Sequence, residues 1–285
     1  MDKTICEKSQ RAGLDNGRPK LANMKTADKM REQTMARIDW HQAVKVMAKN
    51  MVKISTRGDG YGSGILVPPP ANAPGNYCIL TAYHVVRTAD QTGATIDILI
   101  EDTNRIIKLP SLQRSIFFIE KRDQALILFS SSKTFGSINS YKLPEGPGHY
   151  SRGVEFGWLG WPRIARDTLC FFRGVVSAYV EQDDAYLVDG ASIHGISGGP
   201  VFCCQEDNTI SLAGIVTEYH PNQVVTDNGK TSQAWPGLAM FRTVNPLLEL
   251  YESETKKTPS KLPPVSAPTR PPKNEDGGNV QGVVV

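Results

Sequence analysis

Three residues far apart in the chain, His84, Asp123 and Ser197, are of the types that together can transfer an acyl group. Ser197 stands in Gly195-Ile-Ser-Gly-Gly-Pro200, directly before the apolar pair Val201-Phe202. Glycines admit backbone conformations that a Cβ resists, so a tight turn there can present the hydroxyl outward while backbone N–H groups converge on one point. A serine is a weak nucleophile at neutral pH, and a neighbouring imidazole must take its proton and later return it to the leaving group. His84 follows the apolar run Tyr77-Cys-Ile-Leu-Thr-Ala-Tyr, where a short turn would seat it near the surface. Asp123 opens Asp123-Gln-Ala-Leu-Ile-Leu-Phe129, and an acid leading straight into an apolar strand can be buried. A buried carboxylate accepting the histidine N–H would fix its tautomer and stabilise the imidazolium. The N–H groups of Gly195 and Ser197 are the expected oxyanion donors, each worth about 3 kcal/mol in such a site.

Each motif also has a plainer meaning: a glycine-rich β-turn, a structural histidine, a solvated aspartate at a strand start. Asp90, Asp97 and Asp102 compete with Asp123, and spacing alone does not dismiss them. The other histidines, His41, His149, His194 and His220, lack a setting like that of His84. Order favours the set, because His84, Asp123 and Ser197 follow the chymotrypsin sequence and not the Ser…Asp…His order of α/β-hydrolases.

The elements that must position these residues form three zones. Residues 1–43 are a polar extension, with a helix expected around Ala27 to Ala48 where Met30, Met35, Ile38, Val44 and Met47 recur at helical spacing. Residues 253–285 are rich in Pro, Lys, Ser and Thr and are expected to be a disordered tail. Between them, residues 44–252 alternate short Val, Ile, Leu, Phe and Tyr segments with Gly, Pro, Asn and Asp clusters, the pattern of an all-β barrel or sandwich. Eleven such segments suit two packed barrels, and Val244 to Glu252 is expected to close the domain as a short C-terminal helix.

Composition narrows the partners. A formal charge of +3, with Lys and Arg scattered, lacks the footprint of a nucleic-acid binder. No run approaches the roughly 18 apolar residues of a membrane span. Met1 to Leu14 has no apolar region of the signal-peptide kind, so the chain as written is expected in the cytoplasm. Cys6, Cys78, Cys170, Cys203 and Cys204 have neither disulfide-framework nor zinc spacing and are expected to be free thiols. With no metal cluster or phosphate loop, no metal and no cofactor is expected.

From Met51 to Tyr251 the chain resembles the trypsin-like (chymotrypsin-fold) serine peptidases, and within them the bacterial and organellar Deg, or high-temperature-requirement, proteases. The likeness runs through Gly62-Ser-Gly-Ile65, Leu80-Thr-Ala82 with His84-Val-Val86, Asp123 with Ala125-Leu126, Gly160-Trp-Pro162, Arg173 to Ser177, Gly195 to Pro200, Gly214-Ile-Val216 and Pro236-Gly237. It implies two six-stranded antiparallel β-barrels with a site in the cleft between them, and a serine endopeptidase acting on protein or peptide substrates. His84 and Asp123 would come from the first barrel and Ser197 from the second.

Departures from the family shape that expectation. Ile196 replaces the acid that pairs with a cut N-terminus in digestive members, so the uncut chain is expected to be competent. The residues after Tyr251 are too few and too proline-rich for an appended PDZ domain. The primary pocket would be bounded by Ala191, Thr217, Tyr219 and Gly237, with His194 either touching substrate or capping the loop. Ala191 stands where trypsins keep an acid, so a preference for Lys or Arg is not expected, and small or medium apolar side chains are. Two other readings compete: a silent barrel that binds peptides by strand addition, and an esterase with the same three residues. Pro268-Thr-Arg-Pro271 and the terminal valines Val283 to Val285 also have the form of ligands for polyproline and carboxylate grooves.

Overall fold

The computed structural model describes residues 39–56, 60–67, 69, 75–131, 135, 141–146, 149–205, 209–225 and 231–257, without the side chains of 219–225, 231–237 and 256–257. The expected extension before residue 39, Cys6, the proline-rich tail and its two ligand motifs lie outside the described residues.

In chain order the elements are α1 (Trp40–Ala48), β1 (Met51–Thr56), β2 (Gly60–Val67), β3 (Asn76–Ala82), α2 (Tyr83–Thr92), β4 (Ile96–Ile100), β5 (Arg105–Leu109), β6 (Arg114–Ile119) and β7 (Gln124–Ser130). Then come β8 (Glu155–Gly160), β9 (Cys170–Val180), β10 (Ala185–Asp189), β11 (Pro200–Cys204), β12 (Ile210–Val225), β13 (Thr231–Thr243) and α3 (Asn245–Lys257). The first seven strands form one curled antiparallel sheet in the order β5-β4-β1-β2-β3-β7-β6. The last six close into a barrel in the order β10-β13-β12-β11-β8-β9. The all-β, two-sheet architecture and the closing helix are thus those expected, while the first sheet is a half-barrel of seven strands instead of a closed barrel of six.

The runs flanking the candidate site are continuous apolar stretches because both strands are covered on two faces. On β7, Ala125, Ile127 and Phe129 enter the core of the first sheet, together with Ile79 of β3. Their alternates Leu126, Leu128, Cys78 and Leu80 pack with Leu159, Phe202, Leu212 and Ile215 of the barrel. The two-residue period of a strand therefore divides these side chains between one sheet's own core and the seam joining the two sheets. Tyr251 and Leu247 of α3 and Ala43 and Met47 of α1 belong to the seam as well. The barrel fills its interior with Phe156, Trp158, Val176, Tyr186 and Phe241.

Within the expected helix Ala27 to Ala48, the described helical part is α1, which starts where Asp39 accepts a hydrogen bond from the Gln42 N–H at 3.1 Å. After β3 the expected short turn is instead a helix of 10 residues, ended by Gly93 in the left-handed conformation at φ +69°. Cys78, Cys170, Cys203 and Cys204 are free thiols. Burial raises the Cys78 thiol far above its ordinary range and, with Cys203, Asp39 and Glu155 nearby, pushes that of Cys204 up to about 11. No described helix is long and apolar enough to cross a membrane. Among the described residues no group of three or more His, Cys, Asp or Glu side chains could hold a metal ion.

Candidate active site

Strand register brings His84 and Asp123 together. β3 and β7 pair antiparallel with Ala82 opposite Gln124, so Tyr83 and His84 just beyond one strand meet Asp123 just before the other. The Tyr83 N–H donates to the Asp123 carbonyl at 3.0 Å. The Asp123 carboxylate then takes two hydrogen bonds from one residue: Oδ1 accepts the His84 backbone N–H at 2.9 Å, and Oδ2 lies 2.6 Å from His84 Nδ1. Asp123 caps the 3-10 turn Glu120–Arg122 with a left-handed backbone at φ +48°, a conformation that aspartate tolerates better than most residues. Of the four aspartates that spacing left open, Asp123 is the one bonded to His84; Asp90 lies on α2 and Asp97 on β4.

The turn that carries Ser197 is held from both sides. Within the barrel, Gly198 N–H donates to Val216 O at 2.7 Å, Val216 N–H to Gly199 O at 2.9 Å and Gly199 N–H to Ile196 O at 2.9 Å. From the first sheet, the buried Ser63 on β2 reaches the same turn. Its N–H donates to Ser197 O at 2.8 Å, and its hydroxyl donates to Gly195 O at 3.0 Å while accepting the Trp161 N–H at 3.2 Å. Gly195 and Gly198 have φ of +100° and +81°, where a side chain is strained. A Cβ on Gly198 would stand 2.2 Å from Ser63 O and 2.3 Å from Thr81 Oγ1. We expect Gly198→Ala to cost about 3 kcal/mol or more, a fall in Tm of at least about 5 °C by thermal unfolding, with loss of the site's activity.

The carbonyl of His194 accepts the Arg163 N–H at 2.6 Å. Because the peptide is planar and trans, the Gly195 N–H points the opposite way from that carbonyl. Neither this N–H nor that of Ser197 has an acceptor among the described residues, which leaves both amides available to an oxyanion. A cavity of about 430 Å³ brings His84, His194, Gly195 and Ser197 to one space, walled further by Tyr61 and Val85. Among the described residues Ser197 Oγ makes no hydrogen bond, to His84 or otherwise.

Of the residues expected to bound a primary pocket, the two whose side chains are described, Ala191 and Thr217, do not line this cavity. Ala191 is exposed and its carbonyl accepts the Trp158 indole N–H at 3.2 Å, while Thr217 is buried with its hydroxyl 2.8 Å from the Arg242 guanidinium. Tyr219 pairs with Ala239 between β12 and β13, but its side chain and that of His220, like Gly237, lie outside the described side chains.

Sequence reasoning missed the residues on either side of Asp123. Arg122 Nε donates to Gln124 Oε1 at 2.8 Å, and Arg122 Nη2 and Gln124 Nε2 reach Thr243 O at the end of β13, at 3.2 and 2.9 Å. Arg122 is also ion-paired with Asp184. These two polar residues thus tie the backbone around Asp123 to the barrel. Their signal was faint: a buried Arg and Gln at the head of an otherwise apolar strand.

No model of a known protein family matches the sequence, and no curated protein does. Solved structures do. The serine endoprotease from Yersinia pestis is 17% identical over 78% of this chain and 68% of its own, with a TM-score of 0.51. Deg5 is 15% identical over 78% of this chain and 93% of its own, at 0.49. Rv3671c from M. tuberculosis H37Rv, solved as an inactive serine-to-alanine mutant, is 13% identical over 76% of this chain and 92% of its own, at 0.48. At such identity the likeness speaks for architecture alone, and the chain has the fold of the trypsin-like serine proteases.

Proposed function

We propose that this chain is a serine endopeptidase in which Ser197 attacks the scissile carbonyl, His84 is general base and then acid, and Asp123 orients His84. The observation that carries this is the double hold of Asp123 on His84, 2.9 Å to its N–H and 2.6 Å to Nδ1, in a cavity shared with Ser197. With Nδ1–H given to the carboxylate, Nε2 is left to accept the serine proton. The tetrahedral intermediate's oxyanion takes the N–H groups of Gly195 and Ser197. Collapse expels the amine, protonated by His84, and leaves an acyl-enzyme that water hydrolyses with His84 again as base. The fold likeness to a serine endoprotease supports the same reading. On the acyl side, Ala191, Thr217, Tyr219 and Gly237 bound the pocket, with no acid at Ala191 to hold a basic side chain.

One observation favours a second reading, a silent peptide-binding barrel: Ser197 Oγ has no hydrogen bond with His84. Such bonds commonly tighten only once substrate is bound. A fluorophosphonate probe decides between them without knowledge of the substrate. By intact mass, wild type gains one adduct and Ser197→Ala gains none; a folded wild type that gains none is a silent barrel.

A further inference from the structure

The cavity that holds His84 and Ser197 has a charged wall that the proposed chemistry does not use. Arg163 and Arg166, on and just after the 3-10 turn that follows β8, both line it, and His194 faces them. None of the described lining residues is acidic. Neither guanidinium forms an ion pair with a described residue, whereas Arg122, Arg173 and Arg242 are paired with Asp184, Glu155 and Glu218.

This wall is built and held in place. Tyr61, whose ring edge lies against the Gly195 turn, has the Lys53 ammonium 4.7 Å from its ring centroid and the Arg166 guanidinium 6.0 Å away. Lys53 Nζ donates to the Arg166 carbonyl at 2.6 Å and to Asp167 Oδ1 at 3.2 Å, so Asp167 is taken by Lys53 and the backbone of Arg166 is fixed. Arg163 is fixed by its N–H on the His194 carbonyl. The Tyr61 hydroxyl is buried with no hydrogen-bond partner among the described residues. Among the described residues three cations, Lys53, Arg163 and Arg166, stand here against the one carboxylate of Asp167, a net positive balance at the cavity. Burial raises the Tyr61 hydroxyl above its ordinary range, with Arg166 opposing the rise, Asp167 adding to it and Arg163 opposing it.

The wall's place relative to the chemistry follows from who shares it. His84 must hand its proton to the departing amine, and the cavity opens beside His84 while containing neither Ala191 nor Thr217 of the acyl-side pocket. It is the side on which the leaving group sits. Resting on the peptidase reading above, we propose that Arg163 and Arg166 form a carboxylate site for the leaving half of the substrate. The carboxylate is either an Asp or Glu side chain just beyond the scissile bond or the free terminus of a short leaving peptide. Guanidinium forks suit a planar carboxylate and hold it with charge-assisted hydrogen bonds.

Acyl transfer tests this directly, since an amine acceptor must occupy the leaving-group side. Full-length protein is given a neutral acyl ester and dipeptide acceptors: Ala-Asp-amide, Ala-Ala-amide, Ala-Lys-amide and Ala-Ala with a free terminus. Partition to the acidic acceptor is expected to exceed that to the lysine acceptor by about tenfold. A preference for Ala-Asp-amide assigns the site to a side chain, and one for free Ala-Ala to a chain end. In Arg163→Glu with Arg166→Glu the order should invert in favour of lysine, while Arg166→Lys keeps the acidic preference. Equal capture of acidic, neutral and basic acceptors, or an acidic preference that survives the double charge reversal, overturns the proposal. Should the protein turn over no ester, the peptidase reading fails, and the carboxylate site is judged by binding. NMR titration with Ala-Asp-amide then shows saturable shifts that the double reversal abolishes, and their absence rejects the site.

Discussion

Ser197→Ala is expected to lower peptide-bond turnover by about a million-fold while leaving the fold intact. The turn uses Ser197 through its backbone: the carbonyl accepts from Ser63, and no described partner holds the hydroxyl. Alanine therefore keeps every hydrogen bond of the turn and removes the one atom that forms the new covalent bond. Activity and stability should separate cleanly, kcat collapsing with Tm unmoved. The background that survives, about 10³ to 10⁴ over water, is what amides aimed at an oxyanion supply without a nucleophile. A variant that loses both kcat and several degrees of Tm would show that the serine is a structural part of the turn.

Asp123→Asn is expected to lower kcat by about 10⁴-fold, and the geometry says why. Asparagine accepts the left-handed φ of +48° as readily as aspartate. Its carbonyl oxygen can keep the 2.9 Å bond from the His84 N–H, which leaves the amide NH₂ facing Nδ1 across the 2.6 Å contact. Two donors cannot share that contact, so Nδ1 becomes the acceptor and the ring proton moves to Nε2, where it blocks uptake of the serine proton. The imidazolium also loses its counter-charge. Steady-state kinetics on a peptide, with fluorophosphonate labelling slowed in parallel, check this; full activity in the asparagine variant would remove Asp123 from the mechanism.

How much of this was legible in the chain depends on which force set each feature. The segments Tyr77–Thr81 and Ala125–Phe129 read as strands because burial on two faces makes them largely apolar, and that same burial delivers His84 and Asp123 to each other. α2 was not legible. Its start, Tyr83-His-Val-Val, is rich in aromatic and β-branched residues that favour strands, and what ends it is a single left-handed Gly93. Strands β5 and β10 escaped notice because both are short: Arg105 and Lys108 break the apolar pattern of one, and the other offers only Ala185 to Val188 before Asp189 ends it. Ser63 was visible only as the middle of a Gly-Ser-Gly motif. Its three hydrogen bonds to the other sheet span more than 95 residues of sequence, a separation that no local pattern encodes. The basic wall was hidden for a related reason: Lys53, Tyr61 and Arg166 meet only after folding.

Ser63, Arg122 and Gln124 are made early in the chain, and the turn and strand end they grip are made late. Neither half thus carries a finished site. Produced separately, with the chain divided between β7 and β8, the two pieces should be inert. Mixing them would restore turnover by a bimolecular step, at a rate that rises with the concentration of each, so the appearance of activity would time the docking of one sheet on the other.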